Sequence, residues 1–206
     1  MKHVLHGRLG ITALWLLAAG ALVAGATLLL DASYSSSRHT LPASTVTTES
    51  TSVTTTSFDG TSRPVRLSVP ILNISAKVVQ LGLNRNGTVQ VPSNVRDTGW
   101  YRWGPTPGQI GSAVILGHVD SFRGPGVFFR LRDLAKGNHV VVTLANGRAV
   151  TFRVTAVRTY SKTRFPAHLV YGSHGSRALQ LVTCGGKFNS TTGSYESNVV
   201  VFSIRL

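Results

Sequence analysis

The chain predicts an all-β domain: eight strands closed, or nearly closed, into a barrel, with one short helix. Three observations carry this. Its C-terminal 144 residues hold repeated short runs dominated by Val, Ile, Leu, Phe and Thr. Turn residues separate those runs, notably Asn84-Arg85-Asn86-Gly87 and Ala145-Asn146-Gly147, which are hairpin signals. Helical spacing is confined to Val127–Leu134, where Phe128, Leu131 and Leu134 recur on one face. Eight strands with so little helix fit a closed sheet, which leaves no edge strand exposed.

Before that domain come three segments of different composition. Residues 1–10 carry Lys2 and Arg8 with His3 and His6 and no acid, and read as a basic cytoplasmic terminus. Residues 11–30, ITALWLLAAGALVAGATLLL, contain no charge. A helix of that length spans roughly 30 Å, the hydrocarbon thickness of a bilayer. Small residues such as Ala21, Ala24 and Ala26 could suit a signal peptidase, but the apolar run continues through Leu28-Leu29-Leu30. That length favours an uncleaved anchor, and the basic residues before it place the remainder outside the cell membrane. Residues 31–62 are rich in Ser and Thr and lack any sustained period, so they read as a disordered stalk.

Residues 63–206 form the folded domain, long enough for one core. The strands expected are Val65–Pro70, Ala76–Leu81, Thr88–Val91, Ala113–Gly117, His139–Leu144, Ala149–Val157, Leu179–Cys184 and Val199–Ile204. No internal repeat is evident.

The formal charge is +14, from 21 Lys and Arg against 7 Asp and Glu. Nucleic acid is the common partner for such a balance. Here the basic residues are scattered singly, with no Arg-rich helix or aromatic ladder, and the outward topology also argues against nucleic acid. The charge fits a surface that meets anionic headgroups and wall polymers.

Cys184 is the only cysteine, so it forms no intramolecular disulfide. An unpaired thiol outside the cell is an oxidation liability, and nucleophilic catalysis is the leading reason to keep one. The run Leu181-Val182-Thr183-Cys184-Gly185-Gly186 reads as a strand ending at an exposed side chain, with glycines turning the backbone away. A nucleophilic cysteine needs a base or cation beside it, and histidine is the usual choice. Of seven histidines, His118 repeats the cysteine's setting at the end of Ala113-Val114-Ile115-Leu116-Gly117. His3 and His6 fall on the other side of the membrane and His39 in the stalk. His139 begins a valine-rich strand, and His168 and His174 occupy a loop. Tyr171-Gly172-Ser173-His174-Gly175-Ser176-Arg177 is similar to the L,D-transpeptidase signature, but Ser176 stands where that signature needs its cysteine. No His, Cys and acid cluster has metal-ligand spacing, and no cofactor is implied.

With these residues placed, the chain resembles the sortase family, and most of all its class F or class E/F members. The resemblance runs through Pro64-Val65-Arg66-Leu67, Asn86-Gly87-Thr88-Val89-Gln90-Val91-Pro92, Gly99-Trp100-Tyr101 and Gly111 to Asp120. It continues in Phe165-Pro166, Val170-Tyr171-Gly172, Leu181 to Gly186 and Asn198-Val199-Val200-Val201-Phe202. It implies a sortase β-barrel and a cysteine transpeptidase. Cys184 would attack the threonine carbonyl of a Leu-Pro-x-Thr-Gly-like sorting signal on a surface protein, forming a thioester. An amine, on a peptidoglycan precursor or another acceptor, would then take the acyl group. His118 would protonate the leaving amine and accept a proton from the incoming one.

The family's third residue, an arginine, is expected in the second slot of a Tyr-x-x-Asn motif. Here Tyr195-Glu196-Ser197-Asn198 puts an acid in that slot. Asn198 is a neutral donor that could stand in; Lys187, Arg123 and Arg164 are loop cations that could serve; Arg205 lies too far along the strand. The missing arginine also motivates an alternative: a catalytically weak sortase-like surface module that binds peptide or wall polymer.

Overall fold

The structure, a computed structural model, describes residues 62–206. The expected cytoplasmic terminus and anchor, and all of the expected stalk but its last residue, lie outside the described residues. That last residue, Ser62, accepts a hydrogen bond on its hydroxyl oxygen from the Asn146 N–H at 3.0 Å. Among the described residues no helix is long and apolar enough to cross a membrane.

Among the described residues ten strands form: β1 (Pro64–Val69), β2 (Ile74–Leu81), β3 (Thr98–Tyr101), β4 (Gly111–Gly117), β5 (Asp120–Ser121), β6 (Gly124–Pro125), β7 (His139–Leu144), β8 (Ala149–Ser161), β9 (Arg177–Asn189) and β10 (Ser194–Arg205). Eight close into a barrel in the order β1-β2-β3-β4-β9-β10-β8-β7, while β5 and β6 pair separately as a small hairpin. The pairings β2–β3 and β4–β9 are parallel and the others antiparallel. Alternation within each strand fills the barrel: Leu67, Val69, Ile115, Val140, Val142, Phe152, Leu179, Leu181 and Val201 share one buried cluster. The intervening residues Val114, Val182 and Val200 form a second cluster on the outer face, covered by Val170, Phe165 and Tyr171.

The eight-stranded barrel is as expected; several element details are not. Thr88–Val91 is no strand. One bridge joins Leu83 to Val89, closed by the Gly87 N–H donating to the Asn84 carbonyl. The eighth barrel strand is instead β3, and its Gly99 packs so close to β2 that a Cβ would meet Leu81 at 2.4 Å. Val127–Leu134 is no α-helix, although Phe128, Leu131 and Leu134 are buried as expected. Its start is tied in from outside, where Gly126 donates to Val119, Val127 to Val95 and Phe128 to His118, and the amides that follow donate three residues back, Phe129 to Gly126 and Leu131 to Phe128. Only the 3-10 turn Leu131–Asp133 remains of the expected helix, whose three-residue apolar spacing suits it. Among the described residues the one α-helix is α1, Ala167–Tyr171. Nor does β9 end at Cys184. It runs on through the glycines to Asn189, with a register shift opposite Tyr195 and Ser197. Gly186 takes a φ of 76° there, the left-handed region open to glycine, so the irregularity is built into the sequence.

Candidate active site

Register brings the two expected site residues together. In the parallel pair β4–β9, Leu116 faces Val182. Two residues further on each chain lie His118 and Cys184, on the outer face that Val114 and Val182 define. Neighbouring strands run about 4.8 Å apart. Both side chains are half-buried, and both line one cleft of about 650 Å³.

His118 is held at both ends. Its backbone carbonyl accepts the Phe128 N–H at 2.9 Å. Its Nε2–H donates to the Pro92 carbonyl oxygen at 2.7 Å, which leaves Nδ1 as the nitrogen open to exchange a proton. Gly117 precedes it because a Cβ there would meet the Phe128 ring at 2.6 Å. The segment that failed to form a strand thus buttresses the histidine through Pro92.

Cys184 lies at the meeting of three clefts. The first holds His118, Asp120, Ser121, Phe122, Phe188 and Tyr195. The second, of about 510 Å³, is mostly apolar: Val89, Val91, Leu116, Phe165, Tyr171 and Val182 line it, with Asn198 at Cys184. Burial, with Tyr101 adding to the effect, pushes the Tyr171 phenol up to about 12. The third, of about 230 Å³, contains Thr183, Gly185, Phe129 and Arg132 beside Cys184. The buried Thr183 hydroxyl has no partner among the described residues.

Sequence reasoning missed three of these residues. The carboxylate of Asp120 accepts a short hydrogen bond from the Tyr195 hydroxyl, tying the turn after His118 to the start of β10. That bond, with burial and the Asp120 charge, raises the Tyr195 phenol above its ordinary value; Cys184 adds to the rise and Arg132 opposes it. Cys184 and Arg132 therefore both act electrostatically on one hydroxyl. Arg132 makes no hydrogen bond or ion pair among the described residues. The available signals were the two-residue spacing of His118 and Asp120 and the polar position of Arg132 between Leu131 and Leu134.

The other candidates lie elsewhere. Lys187, Arg123 and Arg164 line none of the three clefts. Arg205 pairs with Phe152, toward the far end of β10. Asn198, not Glu196, stands directly across from Cys184 in the β9–β10 register. His139 is exposed at the start of β7, and the rings of His168 and His174 meet edge-on at 5.4 Å. Among the described residues no group of His, Cys, Asp and Glu could hold a metal ion.

A sequence profile of the sortase domain matches residues 67–205. The chain belongs to the sortase family. It is therefore a cysteine transpeptidase, with the sortase barrel. Solved structures agree on the fold. Sortase C-1 from Actinomyces oris superposes with a TM-score of 0.55 at 18% identity, over 68% of this chain and 72% of that one. Sortase C1 from Streptococcus agalactiae gives 0.54 at 22% identity, over 69% and 66%. Sortase A from Corynebacterium diphtheriae gives 0.53 at 18%, over 70% and 61%. No curated protein matches the chain by sequence.

Proposed function

We propose that this sortase of class E/F type is anchored by residues 11–30, with residues 63–206 outside the membrane, and joins sorting-signal proteins to a surface amine. The observation that carries the reading is the alignment of His118 and Cys184 at the rim, beside an apolar cleft suited to an extended Leu-Pro-x-Thr-Gly-like segment. The Cys184 thiolate attacks the threonine carbonyl carbon, and a C–S bond forms. The C–N bond then breaks as His118, protonated on Nδ1, delivers its proton to the leaving amine. The Pro92 carbonyl, accepting from Nε2–H, fixes the ring so that Nδ1 is the nitrogen left for that transfer.

Negative charge gathers on the carbonyl oxygen in the transition state, and a preorganised cation or donor there lowers the barrier. Arg132 is the cation in this reading: it lies in a cleft with Cys184 and makes no hydrogen bond or ion pair among the described residues. Asn198, opposite Cys184, adds a neutral donor.

The test is to incubate the full chain in detergent with a Leu-Pro-x-Thr-Gly peptide and trap intermediates by mass spectrometry. A thioester on Cys184 is expected. Acylation at any other residue, or turnover undiminished in His118→Ala, would overturn the mechanism. Tight peptide binding without a thioester would favour the weak binding module that Glu196, in the arginine's expected slot, motivates.

A further inference from the structure

The barrel has two ends, and strand direction sorts the charged residues between them. β1, β4, β8 and β9 begin at the end away from Cys184, and β2, β3, β7 and β10 finish there. Arginines mark that end: Arg63 just before β1, Arg102 just after β3, Arg148 just before β8, Arg177 opening β9 and Arg205 closing β10. Among the described residues no acidic side chain joins them. Asp97, Asp120, Asp133 and Glu196 all lie at the catalytic end, so cations occur at both ends and acids at one. Large apolar side chains are exposed on the same surface: Trp103 at 65%, Ile110 at 59% and Leu206 at 58%. At the catalytic end the exposed rings of Phe122 and Phe188 line the cleft of Cys184, whereas these three border no site described above. Arg102 holds its guanidinium 4.6 Å from the centre of the Trp103 ring. Arg177 joins the β3–β4 loop to β10: it donates to the Gly108 carbonyl oxygen at 2.6 Å and lines one hollow with Ile204 and Leu206. The chain also enters the domain here. Ser62 and Arg63 accept hydrogen bonds from the Asn146 and Ala145 amides of the β7–β8 turn.

We propose that this end of the barrel docks on an anionic lipid bilayer, which turns the catalytic cleft away from the membrane. The inference rests on the anchor reading above, since the chain that carries residues 11–30 enters the domain at this end. Tryptophan favours the headgroup layer, where its ring is buried and its N–H stays wet. Ile110 and Leu206 supply further apolar area to insert beside it. Arginine keeps its charge and binds phosphate oxygens through paired N–H donors. With no carboxylate on the surface, nothing repels the headgroups. A soluble anionic polymer would match the charge but leave the apolar groups in water, and that mismatch favours lipid.

The experiment places the full chain in nanodiscs of phosphatidylglycerol and phosphatidylcholine. Trp103 is read as the fluorescence difference between the wild type and Trp103→Phe. Lipids brominated near the headgroup end of the acyl chain should quench that difference signal, and acrylamide in the water should reach it poorly. In discs of phosphatidylcholine alone, or in about 1 M NaCl where the Debye length is about 3 Å, the pattern should reverse. Arg63→Gln and Arg102→Gln should each lower the docked-to-free ratio about fivefold, as loss of one basic residue beside an anionic surface implies. As a marker of the opposite end, Phe122→Trp in the Trp103→Phe chain should be quenched by acrylamide and not by brominated lipid. A Trp103 that is open to acrylamide and untouched by brominated lipid in the anionic discs overturns the inference. So does lipid quenching of the Phe122→Trp chain in place of Trp103, which would turn the cleft toward the bilayer. A Trp103 emission that shifts with soluble poly(glycerol phosphate) but not with anionic lipid assigns the surface to a polymer and overturns it as well. Each of these results, in a chain that stays in the discs, sinks this inference alone. A chain that does not stay in the discs sinks the anchor reading and this inference with it.

Discussion

On β4, β9 and β10 two surfaces are written in alternate residues of the same strands. Ile115, Leu179, Leu181 and Val201 face the barrel interior and are essentially inaccessible. Val114, Val182 and Val200 face outward under α1, and two residues beyond Val182 that same face carries Cys184. The inner face gains its stability from close packing, where any lost volume leaves a cavity. The outer face opens beyond Val182, where hydrogen bonds to Pro92 and Phe128 hold His118 and the Cys184 thiol makes none among the described residues. Stability and chemistry therefore separate by residue parity, and a single substitution can address one without the other.

The largest effect breaks the outer face alone. Cys184→Ala should abolish thioester formation, while the unfolding free energy from urea titration stays within about 0.5 kcal/mol of the wild type, because the thiol is half-buried and unpaired among the described residues. A large drop in stability would show that Cys184 belongs to the core instead.

The converse change is three residues away. Leu181→Ala should cost about 2–5 kcal/mol in unfolding free energy, through lost burial and the cavity left behind. The acylation rate of the folded fraction should change far less than in any site variant. A comparable loss of acylation would mean that the two faces are mechanically coupled through β9.

Arg132 sharpens the comparison because it belongs to neither face of the sheet. Arg132→Gln should slow acylation about 10²–10³-fold, the usual loss when one oxyanion donor is removed. The side chain is exposed, so stability should hold. Glu196→Arg restores the cation to the slot expected from sequence. It should raise the rate of Arg132→Gln more than that of the wild type, where Arg132 already serves. Rates measured across the four combinations of these two positions test whether the two residues share a role.

The parity of the sheet was legible in the sequence, and so was the placement of His118 and Cys184 on one face, each two residues past an apolar residue of its strand, although β9 runs on beyond Cys184. Much of what escaped was set by partners distant in the chain. Phe128, Leu131 and Leu134 announced their burial, but the amides of Phe129, Leu131 and Leu134 donate three residues back, to Gly126, Phe128 and Leu131, where an α-helix would donate four back. Thr98–Tyr101 holds four residues, one of them Gly99, and joins the barrel through a parallel pairing with β2 that no local turn signals. Thr88–Val91 has strand composition, yet its apolar side chains Val89 and Val91 line the cleft instead of a sheet. Arg132 was concealed for a related reason: the segment read as a core helix, and its polar position drew no notice. Cross-strand register decides which group faces a nucleophile, and only the fold supplies it.

The smallest effect probes how closed the outer face is. Tyr171 sits in the apolar cleft, its ring edge-on to Tyr101 at 5.6 Å. Its phenol is raised from 10.0 to about 12 because the anion would be desolvated there. In the unfolded chain the same phenol ionises near 10. Below pH 10 both states keep the proton, and the contribution to stability is fully present. As pH rises from 10 toward 12 the unfolded state loses its proton first, so the native state binds more protons and stability falls, by at most about 1.4 kcal/mol per pH unit. Tyr171→Phe should flatten that alkaline decline, measured as the urea midpoint against pH, and leave the midpoint at pH 7 nearly unchanged. An unaltered alkaline slope would mean that water reaches the phenol, and that the apolar cleft is more open on its α1 side than the packing of Phe165 and Tyr101 implies.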